Sequence, residues 1–236
     1  MTTRRITSVA IACVVATLVL AAVTLASLAL GSRQIAPDVV WDALVNGGAS
    51  QDAQVVTQLR VPRTVAALVI GGALGLAGSI MQAMTRNPLA DPGVLGINAG
   101  AAFLVVTVTA ASGVATRVAT LGASLLGAGV AAGLVFAMSG SGGGSRSRLA
   151  LAGIAVSAAL ASLTQAVLAA NQYAFNEFRY WASGSLEGVD MASVVSAGAV
   201  IAGGAVVALL ITSALGVLAL GDDAAVSLGV RVQLIR

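Results

Sequence analysis

The most informative absences in this sequence are lysine and histidine, neither of which occurs among its 236 residues. Without lysine the chain cannot form a Walker A loop, because that loop needs the lysine side chain to hold the phosphates of ATP. Without histidine it lacks the most frequent general base and a common ligand of zinc sites. We therefore predict that the chain is not an enzyme and has no catalytic residues, no metal site and no cofactor.

Cysteine, aromatic residues and clustered positive charge are also scarce. Cys13 is the only cysteine, so no disulfide can form within the chain. Its position inside an apolar run predicts a buried side chain without a chemical role. Aromatic residues make up 3% of the sequence, and the arginines form no basic stripe. These features argue against nucleic acid as a partner.

Charged residues make up only 9% of the chain, whereas 58% of its residues are hydrophobic and the mean hydropathy is +0.99. The charges separate six runs without any ionisable side chain, each longer than the roughly 20 residues that cross a bilayer. An arginine at the bilayer centre costs about 2.5–3.5 kcal/mol on insertion scales, which explains this segregation. We predict an all-α integral membrane protein in contact with membrane lipid. Its six transmembrane helices are expected at about residues 6–30, 64–85, 94–112, 118–138, 149–170 and 191–217.

Two more polar segments lie outside the predicted spans. Residues 31–59 contain Arg33, three aspartates and one short apolar repeat. They predict an outer surface loop that includes one short amphipathic helix at the membrane surface. Residues 218–236 contain Asp222 and Asp223, which favour the start of a helix, and Gly229, which suits its end. This second segment is predicted to form a short helix outside the membrane.

Small residues recur at helical spacing on three of the predicted spans. Such faces allow another helix to approach closely, and we expect ordinary helix packing there. Their members are Gly71, Gly75, Gly78 and Ser79 in the second span, Gly129 and Gly133 in the fourth, and Gly153, Ser157 and Ala161 in the fifth.

Four stretches of the chain together carry a family resemblance. Arg60, Pro62 and Arg63 form an Arg-x-Pro-Arg motif, and residues 87–101 have the sequence NPLADPGVLGINAGA. Residues 147–155 have the sequence SRLALAGIA, and residues 218–230 have LALGDDAAVSLGV. In combination these stretches resemble the permeases of iron-chelate and vitamin B12 ABC importers, the FecCD-type or type II importer family.

The resemblance implies a fold of about ten membrane helices in the inner (cytoplasmic) membrane, with the N-terminus in the cytoplasm. Residues 1–236 would then form a single, incomplete permease domain. The match stops just after residues 218–230, so we expect the chain to be C-terminally truncated. Seven arginines fall on the segments that this orientation places inside and five on those outside, a weak agreement with the positive-inside rule.

The resemblance also implies a docking role for the Arg-x-Pro-Arg motif. Arg60 and Arg63 would lie at the outer mouth and bind acidic residues of an extracytoplasmic substrate-binding protein, as charge-complementary interfaces do. The residues alone leave another interpretation open, in which both arginines anchor the helix to lipid headgroups.

Two further roles come from the same resemblance. The connection after the second predicted span and the connection before the fifth would together form a cytoplasmic gate. The gate residues would be Asn87, Leu89, Arg146 and Ser147. The residues alone indicate ordinary turns at both places. The short helix near the C-terminus would couple the permease to an ABC ATPase subunit. Its coupling residues would be Gly221, Asp222, Asp223, Ala225, Leu228 and Gly229.

The function implied is that of a permease subunit that moves a ferric siderophore or a similar iron chelate. ATP would be hydrolysed in a separate subunit, and a second copy or a sister permease would complete a dimer. Cobalamin and haem are alternative cargoes. A non-transporting truncated remnant or scaffold is an alternative of another class. A secondary transporter is disfavoured because none of the six charge-free runs contains a carboxylate for ion coupling.

Overall fold

The computed structural model describes residues 3–47, 49–114, 116–140 and 146–219. These ranges contain eight helices, one 3-10 turn at Pro92–Leu95 and no strand. The helices are α1 (Thr3–Ala29), α2 (Pro37–Asn46), α3 (Gln51–Thr85), α4 (Ile97–Ser112), α5 (Arg117–Ser139), α6 (Arg146–Ala170), α7 (Gln172–Ala182) and α8 (Met191–Ala219).

Five helices of the described chain, α1, α3, α5, α6 and α8, are long and apolar enough to cross a membrane. The third predicted span, at about residues 94–112, corresponds to α4, which has 16 residues. It is bounded by Gly96 and Gly113, both in the left-handed conformation that ends helices, and is about 24 Å long. The predicted all-α membrane architecture is confirmed, with one apolar helix shorter than expected.

Helix α3 begins well before the predicted second span and is 35 residues long, about 52 Å. Its backbone widens into a π-helix at Val55–Arg60, directly before Pro62. A proline inside a helix has no N–H, and its ring clashes with the carbonyl four residues earlier. The wider π turn, in which the Val61 N–H bonds to the Val56 carbonyl, is a known way to accommodate such a disruption. Pro62 therefore sits inside a continuous helix.

The chain divides into two compact units, Met1–Gly71 with Leu186–Gly198 and Gly72–Ser185 with Ala199–Arg236. In the first unit, α2 occupies part of the segment predicted as a surface loop. The core of this unit is a cluster of buried residues from the end of α1, the following linker, α2 and the start of α3: Leu28, Ile35, Val40, Ala43, Ala53 and Val56.

Helix α1 contributes little to this core. Its side chains are exposed along most of the helix, and Leu28 in the last turn is the residue that enters the core. Cys13 is exposed, so the prediction that it is buried was wrong. The reason is that α1 contacts the rest of the described first unit only near its C-terminal end, which leaves its apolar surface to the membrane.

The second unit is built around α4, α5 and α6. Ala131 and Val135 of α5 pack against Ala152 and Val156 of α6, and Leu95 of the 3-10 turn joins this cluster. A second cluster consists of Val106, Leu168 and Ala174, from α4, α6 and α7. The 3-10 turn before α4 is thereby held against the bundle.

Candidate functional site

The structure separates the two arginines of the Arg-x-Pro-Arg motif. The half-buried Arg60 turns back onto α1, where its Nη1 donates to the carbonyls of Leu28 at 2.9 Å and Ala29 at 2.7 Å. Its Nη2 donates to the carbonyl of Arg33. Arg63 is exposed and forms no hydrogen bond or ion pair with the described part of the chain. In this geometry Arg63 is the arginine available to an acidic group of another protein.

The surroundings of Arg60 are shaped for its guanidinium. A Cβ added at Gly31 would lie 3.0 Å from Nη2 of Arg60, so a side chain there would crowd the group. Arg33 forms an ion pair with Asp52 on α3, with Nε 2.8 Å from Oδ1, although the N–H is not aligned as in a hydrogen bond. The linker after α1 therefore meets α3 at both Asp52 and Arg60.

A polar contact joins α1 and α3 one turn further into the apolar region. The hydroxyl groups of Ser27 and Thr64 lie 2.8 Å apart, and Thr64 is buried. Neither residue was singled out from the sequence. A serine or threonine within an apolar run usually bonds its own helix backbone, as Thr17 and Thr24 do in α1, so the sequence gives no sign of this contact.

The predicted gate segment begins with a defined helix end. The Asn87 N–H bonds to the Gln82 carbonyl at 3.3 Å, and Arg86 between them has a φ of 50°. This is the hydrogen-bond pattern of a Schellman motif, with arginine in the left-handed position that glycine usually occupies. A non-glycine residue in that conformation costs about 1–2 kcal/mol. Pro88 follows and prevents the helix from continuing.

Two side-chain turns order the rest of this segment. Asn87 Oδ1 accepts a hydrogen bond from the Leu89 N–H at 3.0 Å, and Asp91 Oδ1 accepts one from the Gly93 N–H at 2.6 Å. Asp91 thereby caps the 3-10 turn, as short polar side chains commonly do. The segment is a structured connection and not a flexible loop.

The exposed tip of this connection contains both predicted gate residues. Asn87 is exposed, and Leu89 is 88% exposed. The companion residues begin α6, where Arg146 is the first residue and Ser147 is exposed in the first turn. The end of α3 and the start of α6 lie on one side of the second unit, because α4 and α5 run between them in opposite directions. Closure at these residues stays a prediction.

Two glycines that were not singled out from the sequence form a very close contact between α4 and α5 in the second unit. A Cβ added at Gly100 of α4 would overlap the carbonyl of Gly127 and the Cβ of Ala131, both on α5. A Cβ added at Gly127 would in turn overlap the carbonyl of Gly100. The sequence contains two rows of small residues on α5, and it did not show that the row with Ala123, Gly127 and Ala131 faces α4 and the row with Gly129 and Gly133 does not.

Of the three small-residue faces predicted from spacing, one contacts another element and two do not in the described part of the chain. Gly153 and Ser157 lie against Gly96, at the end of the connection between α3 and α4. A Cβ at Gly96 would be 3.3 Å from Ser157 Oγ and 3.7 Å from the Gly153 carbonyl. The other two faces have no close neighbour in the described part of the chain. A Cβ added there would meet nothing within 4 Å at any of the positions Gly71, Gly75, Gly78, Gly129 and Gly133.

The predicted coupling residues, from Gly221 to Gly229, lie outside the described residues. Within the described ranges, no group of three cysteine, aspartate or glutamate side chains is arranged to hold a metal ion. The candidate sites are therefore the Arg60–Arg63 region of the first unit and the hinge at residues 86–96 of the second.

Comparison with known proteins identifies relatives along most of the chain. A model of the FecCD transport family matches residues 18–236. The ferric enterobactin transport system permease protein FepD of Escherichia coli (strain K12) is 43% identical over 210 residues, which are 87% of this chain and 62% of FepD. FepG, another ferric enterobactin permease protein of that strain, is 33% identical over 223 residues, 94% of this chain and 65% of FepG. The chain spans less than two thirds of the length of both relatives.

A solved structure, described as a metal-chelate type ABC transporter in an inward-facing conformation, has a similar fold. The TM-score is 0.74 over 93% of this chain and 69% of that chain, at 23% sequence identity. The relatives are named as permease proteins of transport systems, in agreement with the prediction that this chain is not an enzyme. With the motifs at residues 60–63, 87–101, 147–155 and 218–230 all inside the range that the family model matches, this multi-pass membrane protein belongs to the FecCD transport family.

Proposed function

We propose that this chain is a permease subunit of an ABC importer that moves a ferric siderophore, or a similar iron chelate, across the inner (cytoplasmic) membrane. The observation that carries the proposal is the 43% identity with a ferric enterobactin permease over 87% of the chain. The predicted spans contain no ionisable group, which suits weak contacts with a bulky cargo. ATP is hydrolysed by a separate ABC ATPase, because this chain lacks the lysine of a Walker A loop.

The importer contains a second permease subunit, either another copy of this chain or a sister permease. FepD and FepG are both named as permease proteins of the ferric enterobactin system in one organism, and both resemble this chain. The higher identity with FepD supports a sister permease as the partner. The N-terminus lies in the cytoplasm in this proposal, which places Arg60 and Arg63 on the outer side.

On the outer side, the Arg60–Arg63 region docks an extracytoplasmic substrate-binding protein. Arg63 supplies the charge that meets an acidic side chain, since its own side chain is exposed. Arg60 belongs to the same docking region, but its guanidinium is engaged with backbone carbonyls of the chain. A charge pair between Arg63 and an acidic side chain steers the approaching binding protein and fixes its orientation.

The docking proposal predicts that Arg63→Glu weakens capture of the binding protein at least about 30-fold, since losing a close interfacial charge pair costs at least about 2 kcal/mol. The measurement is the dissociation constant at moderate salt. Arg148→Glu is the matched control, because Arg148 is also exposed but lies in the first turn of α6, on the proposed cytoplasmic side. An equal loss for both variants would contradict docking at Arg63.

On the cytoplasmic side, the proposal assigns gating to Asn87, Leu89, Arg146 and Ser147. Backbone strain is often retained where a segment has a mechanical role, and Arg86 is a left-handed residue at the start of this connection. The residues from Gly221 to Gly229 would lie in a groove of the ATPase, so that ATP-driven closure moves the helix bundle as a rigid body.

The cargo is tested by uptake in the source organism after deletion of the gene. We expect uptake of iron-labelled siderophore to be lost and to return when the gene is supplied again, while uptake of labelled cobalamin is unchanged. A selective loss of cobalamin or haem uptake would transfer the proposal to that cargo. Unchanged uptake of all three would favour a non-transporting scaffold or remnant.

A further inference from the structure

We infer that Arg60 is a positioning residue that closes the C-terminal end of α1, in the sense that its guanidinium bonds to the carbonyls there, and that fastens this membrane helix to α3. Arg60 thereby holds Arg63 in place for docking. The role in docking rests on the proposed function, whereas the closure of α1 does not. The two arginines of one motif then have different tasks: Arg60 acts within the chain, and Arg63 acts on its partner.

The carbonyls at the end of α1 need donors from outside the helix. The last four carbonyls of a helix have no donor within it, and in or near lipid such groups need another partner. The Ala26 carbonyl accepts a hydrogen bond from the Leu30 N–H at 2.8 Å. The carbonyls of Leu28 and Ala29 receive Nη1 of Arg60 at 2.9 and 2.7 Å. One guanidinium therefore serves both adjacent acceptors, and the Ala29 carbonyl also accepts a hydrogen bond from the Ile35 N–H at 3.4 Å.

The same helix end also favours a positive charge. The C-terminal end of a helix carries a partial negative charge that a cation stabilises. Helix α1 has no basic residue in its own last turn. Arg60 supplies the missing cation from the next membrane helix, and charged donors form stronger hydrogen bonds than neutral ones.

The pocket around Arg60 fits the shape of a guanidinium. Arg60 also donates to the Arg33 carbonyl, so its planar fork spans both the helix end and the linker. The absence of a side chain at Gly31 leaves room for it, since a Cβ at that position would lie only 3.0 Å from Nη2. The ion pair of Arg33 with Asp52 holds the same linker from a second point on α3. The linker after α1 is thus held to α3 at two points, Arg60 and Asp52.

Little else in the described first unit holds α1. The helix is exposed until its last turns, where Leu28 is buried and Ser27 meets Thr64. The attachment of α1 is therefore concentrated around Arg60. Arg63 lies one turn further along α3, next to Pro62 and Thr64, so its position relative to α1 depends on this attachment.

The test uses the complete transporter in lipid nanodiscs, with the variants Arg60→Gln, Arg60→Lys, Gly31→Ala and Arg63→Gln. Hydrogen exchange of residues 28–36 reports the closure, because the amides of Leu30 and Ile35 bond to α1 carbonyls in this region. The dissociation constant of the binding protein, measured from low to high salt, reports the docking charge.

We expect Arg60→Gln to accelerate exchange in residues 28–36 at least about tenfold, the effect of losing a hydrogen bond to a charged group. Arg60→Lys should restore part of the protection, and Arg63→Gln should leave it unchanged. Binding should weaken for both Arg60→Gln and Arg63→Gln. Its salt dependence should flatten only for Arg63→Gln, because only that variant removes the docking charge.

Unchanged exchange in Arg60→Gln, or equal acceleration in Arg63→Gln, would overturn the inference. A flattened salt dependence in Arg60→Gln would also overturn it, since Arg60 would then be a docking charge itself. If Arg60→Gln does not assemble, Gly31→Ala decides: faster exchange supports the closure, and wild-type exchange refutes it. The expected exchange results combined with unaltered binding in Arg63→Gln would refute the docking proposal and leave the closure of α1 intact.

Discussion

Two sets of glycines in this chain look alike in sequence and differ in structure. In α3, Gly71, Gly75 and Gly78 form a regular stripe, yet a Cβ at any of them would meet nothing within 4 Å. In the second unit, Gly127 also lies in a row of small residues, between Ala123 and Ala131, and there it brings the backbone of α5 into contact with that of α4 at Gly100. Spacing therefore shows where a close approach is possible, and the partner helix decides where it occurs.

The difference has a simple physical origin. A glycine in a membrane helix is useful when a second backbone fills the space that a side chain would occupy, because the gain comes from close van der Waals contact. At Gly100 that second backbone is the carbonyl of Gly127 in the same chain. Along the α3 stripe, the described part of the chain offers no such surface.

The largest effect is expected when the contact between Gly100 and Gly127 is broken. Gly100→Leu should destabilise the chain by at least about 3 kcal/mol, the upper part of the range for overpacked cores, because α4 and α5 must separate. Gly75→Leu should leave stability unchanged or raise it slightly, since leucine favours a helix more than glycine does. The measurement is thermal unfolding of the purified chain in one detergent. Equal losses at the two positions would remove the distinction between the glycine sets.

A smaller change tests whether Gly100 and Gly127 act as one contact. Gly100→Ala and Gly127→Ala should each cost about 1–3 kcal/mol, since one methyl group already overlaps the facing carbonyl. The double variant should cost less than the sum, because helices already pushed apart admit the second methyl group. A double-mutant cycle by the same unfolding measurement checks this. Strict additivity would mean that the two glycines are energetically independent.

The smallest effect is expected at Gly96, where the contact is looser. Gly96→Ala should cost about 1–2 kcal/mol, chiefly because its φ of 72° disfavours a residue with a Cβ. The nearest atom, Ser157 Oγ, would be 3.3 Å away and can rotate. Gly96→Asn should recover part of the loss, since asparagine tolerates this conformation. A larger loss for asparagine than for alanine would show that space limits this position more than backbone conformation does.

Much of the fold could be predicted because membrane insertion imposes one strong rule on the sequence. Ionisable residues are excluded from the bilayer centre, so the charge-free runs coincide with α1, α3, α5, α6 and α8. The start of α3 was misplaced because Pro62 and the charges of Arg60 and Arg63 suggested a boundary. A π turn allows the helix to pass through that proline, and the sequence has no separate signal for it.

The candidate site could be predicted only in part. The motif at residues 60–63 marks the region, but the direction of each arginine depends on where the end of α1 lies in space. The carbonyls of Leu28 and Ala29, which receive Arg60, come from residues about thirty positions earlier and carry no mark in the sequence. Similarly, the capping roles of Asn87 and Asp91 follow from local turn chemistry, whereas the contact of Gly96 with α6 does not.

The single-ended attachment of α1 has a consequence for its behaviour in the bilayer. Its apolar span, Thr7–Ala29, has 23 residues and is about 35 Å long, which exceeds the roughly 30 Å hydrocarbon core of a typical membrane. A helix that is too long relieves this mismatch by tilting. Because α1 is secured to the described chain only near Leu28, lipid thickness, and not packing, should set its tilt angle.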